Sequence, residues 1–168
     1  MMLRQKEIIA RRLAQLEKMR GHLAYSDQRM RAAGIADKDM GALSDTDAEI
    51  LAAFRTRFSE YQEHIGKLLK AIAIEEGAVI VGMSDVVSFA EKAGIVEGER
   101  DWKEPRDIRN AINHDYEENA QALSILVRET LNLVDQLMRI HQRAVSCCRE
   151  RLGIAVPPAP TFGREGPP

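Results

Sequence analysis

Cysteine, aromatic residues and long apolar runs are all scarce in this chain. Two of its 168 residues are cysteine and 5% are aromatic. The cysteines, Cys147 and Cys148, are adjacent, and neighbouring cysteines rarely pair with each other. No other cysteine and no His cluster stands near them, which excludes a disulfide framework and argues against zinc. They read as small apolar residues late in a helix of a reduced intracellular protein. No stretch approaches the ~20 apolar residues of a membrane span. The N-terminal MMLRQKEIIARRLAQLEK alternates charged and apolar residues and lacks the continuous apolar core of a secretion signal, so the cytoplasm is the expected location.

An excess of either charge is also missing. Lys and Arg number 24 against 26 Asp and Glu, giving a formal net charge of −2 and a pI near 6.1. Nothing global favours nucleic acid or membrane, so recognition of an acidic polymer must come from a local patch. What the chain does have is 45% hydrophobic residues, enough for one core at this length. Those residues recur at helical spacing, and the composition favours helices over strands.

Ile9, Leu13, Leu16, Met19 and Leu23 make an apolar stripe that predicts a first helix from about Leu3 to Tyr25 or a little beyond. Gly34 and Gly41 mark the loop after it. Ser44 offers an N-cap, with Asp45 and Asp47 in the first turn, for a second helix running to about Ile74 and ended by Gly77. GAVIVGMS reads as a buried connector. Ser84 is the expected cap of a short third helix closed by Gly94. A fourth begins between Glu99 and Glu104, because Pro105 is tolerated only in a first turn. The last and longest helix, from about Glu117, carries a stripe from Leu123 to Leu152, includes His141, and stops at Gly153. IAVPPAPTFGREGPP is rich in Pro and Gly and is expected to be disordered. The fold class is therefore all-α: an antiparallel bundle of about five helices in a single domain, residues 1–153, followed by a tail, 154–168.

Between the fourth and fifth helices lies RNAINHDY, an instance of R-x4-H-x-Y. On an unbroken helix, residues five apart lie about 140° around the axis. The helix should then end or kink near Asn113, with Asp115, Glu117 and Glu118 at the cap and first turn of the next, turning His114 back toward Arg109. An Arg–His pair suits RNA cleavage without a metal. The imidazole can exchange a proton with a 2′-hydroxyl or a leaving oxygen near neutral pH. The guanidinium can hold two phosphate oxygens and stabilise developing charge. Asn110 and Asn113 would orient imidazole or phosphate. No carboxylate cluster or histidine pair suggests a metal. A plainer reading also fits these residues: Arg109 paired with Glu104 or Asp107 on the surface, His114 and Asn113 as helix-end caps, and Tyr116 as half-buried packing. His22, His64 and His141 stand apart, and His141 reads as a core or interface histidine.

The wider stretch DWKEPRDIRNAINHDYEEN resembles the HEPN domain superfamily, and within it the HepT-like proteins of HEPN/MNT toxin–antitoxin pairs. The matching residues are Trp102, Arg106, Arg109, Asn110, His114, Tyr116 and Asn119, with a looser match in FSEYQEHIGKLLKAI. The resemblance covers most of residues 45–150. It implies a HEPN-like helical bundle and a homodimeric, metal-independent endoribonuclease toxin without cofactor. Arg109 and His114 are its catalytic residues in a cleft shared by two subunits, with Arg106, Asn110 and Asn113 supporting. It implies a minimal nucleotidyltransferase as antitoxin partner, which transfers AMP to Tyr116 and blocks cleavage, RNA as substrate, and no role for DNA or membrane. Asp115, where the family often has Glu or a small residue, and Asn113, where it often has Ala, depart from the pattern and put fine geometry in doubt. A different class also fits, a non-catalytic nucleotide-binding or antitoxin-type partner, and the acidic pI leans that way.

Overall fold

The apolar stripes close on one another. A computed structural model of the chain describes residues 2–114 and 119–156, and of residues 2, 3 and 114 the backbone alone. Among these residues there are five α-helices and no strand: α1 (Met2–Ala32), α2 (Asp45–Glu75), α3 (Met83–Lys92), α4 (Glu99–His114) and α5 (Ala120–Leu152). A short 3-10 turn, Ile35–Asp37, follows α1.

α2 is central and packs against every other helix. It runs antiparallel to α1. At one end Gln5 Nε2 donates to the Ala71 carbonyl, and further along Arg57 Nη1 donates to Ser26 Oγ at 2.7 Å. Tyr61 meets His141, and Glu76 pairs with Arg151, so α2 and α5 run parallel, linked by the crossover through α3 and α4. Ile9, Leu13, Leu16 and Leu23 of α1 are all buried, against Phe54, Phe58 and Tyr61 of α2 and Val127, Val134 and Leu137 of α5. Removing that much apolar surface from water dominates the stability of such a bundle.

Helix ends follow local chemistry, and some differ from what the sequence suggests. Ser44 caps α2 as expected, its Oγ accepting from the Asp47 N–H. α3 starts earlier than expected and is capped at Gly82, not Ser84. The Asp85 carboxylate reaches back to accept from the Val81 and Gly82 N–H groups, so the cap comes from inside the helix. The connector before it is not buried. Ile80 packs inward, while its neighbours Val79 and Val81 are 85% and 91% exposed, the period-two alternation of a chain that is not helical. α5 begins at Ala120, not Glu117. Its cap is Asn119, whose Oδ1 accepts from the Gln121 and Ala122 N–H groups. At the far end Gly153, at φ +67°, closes α5, and the packing continues past it, with Ile154 buried and Val156 against the core.

Candidate functional site

The motif helix is held by two features that have no local signature. α4 starts at Glu99 and runs through Pro105, which stands inside it and is buried. Proline cannot donate to the Asp101 carbonyl one turn earlier, and that carbonyl instead accepts from α5: Gln136 Nε2 donates to it at 2.5 Å. Trp102, one residue on, is 2% exposed and seats its ring on Gly66 of α2. A Cβ at Gly66 would lie 3.1 Å from Trp102 Cζ2, so any larger residue would require the indole to shift by a few tenths of an ångström. Trp102 packs in the core and fixes the motif helix against α2.

On this support α4 presents Arg106, Arg109, Asn110 and Asn113 at helical steps of three and four, hence along one flank. Arg109 is half-buried. Its Nη2 donates to Asn110 Oδ1 at 3.1 Å, and Nε lies 3.4 Å from the same oxygen. It makes no ion pair with any carboxylate among the described residues. Glu104 pairs with Arg100 instead, at 2.5 Å, and the nearest carboxylate to Arg106 is its neighbour Asp107, at 3.7 Å. The surface salt bridge that a plainer reading would give Arg109 is therefore not made by Glu104 or Asp107. Asn113 is exposed and Ser59 Oγ of α2 donates to its Oδ1 at 3.3 Å, tying the end of α4 to the central helix.

α4 is helical through His114, the last residue described before Asn119, so the expected break near Asn113 lies against residues outside those described. The imidazole of His114 and all of Asp115, Tyr116, Glu117 and Glu118 lie outside the described residues. So the structure brings together Arg109 and Asn110, ties Asn113 to α2, and puts the backbone of His114 on the same helix.

The two flanks of α4 differ in charge. Toward α5, Glu104, Asp107 and Glu129 line a shallow cleft with Ile108 and Leu133. Toward α3, Lys103 and Arg106 line another with Trp102, Glu91 and Glu99, two cations against two carboxylates. A phosphate approaching Arg109 meets more repulsion on the first side than on the second. Among the described residues no group of three or more His, Cys, Asp or Glu is gathered as a metal site would require, and no helix is long and apolar enough to cross a membrane.

The other notable polar pair is far from the motif. His141 of α5 is 1% exposed, and its Nδ1 is 2.6 Å from Tyr61 Oη, ring edge to ring face. Burial pushes the Tyr61 phenol well above its ordinary range, so it stays protonated and can donate. If Nδ1 donated instead, both the phenol proton and Nε2 would lack a partner, so the hydroxyl as donor leaves fewer buried groups unpaired. Burial also drives the His141 pKa down to about 4, and this histidine is neutral at physiological pH. Gln136, Gly66 and Ser59 are the supporting residues that sequence reasoning missed. Pro105 inside an apolar-periodic helix was the one available signal that a distant donor was needed. The chain matches no family model, no curated protein and no solved structure.

Proposed function

We propose that the protein is a HepT-like, metal-independent endoribonuclease toxin that acts as a homodimer. The observation that carries this reading is on α4: a half-buried Arg109, oriented by Asn110 and paired with no described carboxylate, on the same helix as the backbone of His114. A guanidinium kept from acidic partners on an otherwise acidic chain is available for phosphate. In the proposed reaction one His114 takes the proton of a ribose 2′-hydroxyl as its oxygen bonds to the adjacent phosphorus. The bond from phosphorus to the 5′-oxygen breaks, and the His114 of the second subunit protonates that oxygen. Arg109 stabilises the charge on the remaining phosphate oxygens. The products are a 2′,3′-cyclic phosphate and a 5′-hydroxyl. Tyr116 is the proposed acceptor of AMP from a minimal nucleotidyltransferase antitoxin, which would put negative charge and bulk beside the cleft.

The test is cleavage of RNA in EDTA. Native protein should cut, and Arg109→Ala and His114→Ala should each lower the rate by about 100-fold or more, with helix content unchanged. Intact mass after co-expression with a minimal nucleotidyltransferase should show AMP-sized additions that Tyr116→Phe abolishes. If native protein and His114→Ala behave alike on RNA, the enzymatic reading fails. The acidic flank formed by Glu104, Asp107 and Glu129 favours one alternative, a non-catalytic nucleotide-binding or antitoxin-type partner. That protein would bind nucleotide but leave RNA intact at every concentration.

A further inference from the structure

Between α3 and α4 a cleft of about 220 Å³ opens with Trp102 among its lining residues. Three observations bear on what it could hold. The indole Nε1 of Trp102, a residue that lines the cleft, is buried and meets no hydrogen-bond acceptor among the described residues, a donor left without a partner. Lys103 and Arg106 also line the cleft. Lys103 forms no ion pair among the described residues, and Arg106 has only the long contact to Asp107. The remaining lining is mixed. Met83 and Val87 give an apolar wall, Ser88 a hydroxyl, and Glu91 and Glu99 two carboxylates without ion pairs among the described residues.

Two cations against two carboxylates would not make a site for a bare anion. They suit a ligand with a phosphate at one end and hydroxyl or amino donors at the other, joined by a flat apolar body. We propose that this cleft binds one nucleoside-phosphate unit, its phosphate on Lys103 and Arg106 and its heterocycle between Met83, Val87 and the Trp102 indole. Arg106 stands one helical turn before Arg109, about 4.5 Å along the axis, so a unit held here is next to the phosphate that Arg109 would hold. The inference rests on the ribonuclease reading for the strand to which that unit belongs. The affinity of the cleft does not depend on it.

Trp102 is the single tryptophan of the chain and reports directly on this cleft. Its emission is followed while full-length protein is titrated with uridine monophosphate, adenosine monophosphate and a short single-stranded RNA. A saturable change is expected, weakened at least about tenfold by Arg106→Gln, the loss of one charge-assisted contact. Ser88→Leu, at an exposed position on α3, should fill the cleft and abolish the change while circular dichroism stays native. A response to mononucleotides and RNA alike assigns the cleft to the strand. A response to mononucleotides alone assigns it to free nucleotide, and both outcomes support the site. An unchanged emission with all three probes overturns it, and so do Arg106→Gln and Ser88→Leu variants that bind as the native protein does. Arg109→Ala should lose cleavage and keep the titration. If it cleaves like native protein, the ribonuclease reading fails while the titration still decides the cleft.

Discussion

At the scale of single residues, the buried Tyr61–His141 pair sets a pH dependence of stability. His141 has a folded pKa near 4 because burial disfavours the imidazolium, while in the unfolded chain it titrates near 6.5. Above pH 6.5 the imidazole is neutral in both states. As pH falls from 6.5 to 4 the unfolded chain takes up the proton first, so the folded state loses stability, about 1.4 kcal/mol per pH unit. The charged groups facing it, Glu17 and Arg20, are bound to each other and act in opposite directions, so they barely alter this slope. His64 is shifted the same way, by burial first and then by Lys67, and it is far less buried. Urea denaturation should show about 3 kcal/mol less stability at pH 4 than at pH 7. His141→Gln, which offers Tyr61 an acceptor but cannot titrate, should flatten most of that difference. An unchanged slope in the variant would place the acid sensitivity elsewhere. The same burial pushes the Cys148 thiol up to about 12 and raises Cys147, so neither is a ready thiolate, in keeping with cysteines used as packing residues.

At the scale of elements, the helix count and the core face of each helix were legible because both follow from periodicity. Ile9, Leu13, Leu16 and Leu23 were read as one stripe and are buried together. Helix starts were less legible. Ser84 looked like a good cap for α3, but Asp85 makes the actual hydrogen bonds, and α5 is capped by Asn119, a choice between near neighbours that a pattern alone does not make. The site was legible only where it is local. Arg106, Arg109, Asn110 and Asn113 follow one another on one helix. Their supports come from 54 residues away in the case of Ser59 to Asn113, and 35 in the case of Gln136 to Asp101, and no spacing rule reaches that far. The second support makes a quantitative prediction. Gln136→Leu should cost about 1–2 kcal/mol, because the Asp101 carbonyl then faces Pro105 with no donor. In a Pro105→Ala background the restored N–H can serve that carbonyl, and the same change should cost less than about 0.5 kcal/mol. Denaturation of the four proteins measures the coupling. Equal costs in both backgrounds would mean that Gln136 does not stand in for the missing N–H.

At the scale of the whole molecule, the proposed chemistry needs more than one chain. A single histidine cannot withdraw a proton from the nucleophile and deliver another to the leaving oxygen in one step, so two copies of His114 must meet in one cleft. This fixes how activity depends on composition when two kinds of subunit are mixed. If each protomer carried a complete site, diluting native protein with an equal amount of His114→Ala protein would leave about half the activity. If one composite site per two-fold dimer needs both histidines, activity follows the square of the native fraction, and after random exchange about a quarter remains. The measurement is RNA cleavage in EDTA across a series of co-refolded mixtures at constant total protein, with exchange verified by a tag on one species. A squared dependence supports a shared cleft. A linear dependence would assign the whole reaction to one chain and rule out the composite site, even if Arg109 and His114 were each shown to be essential.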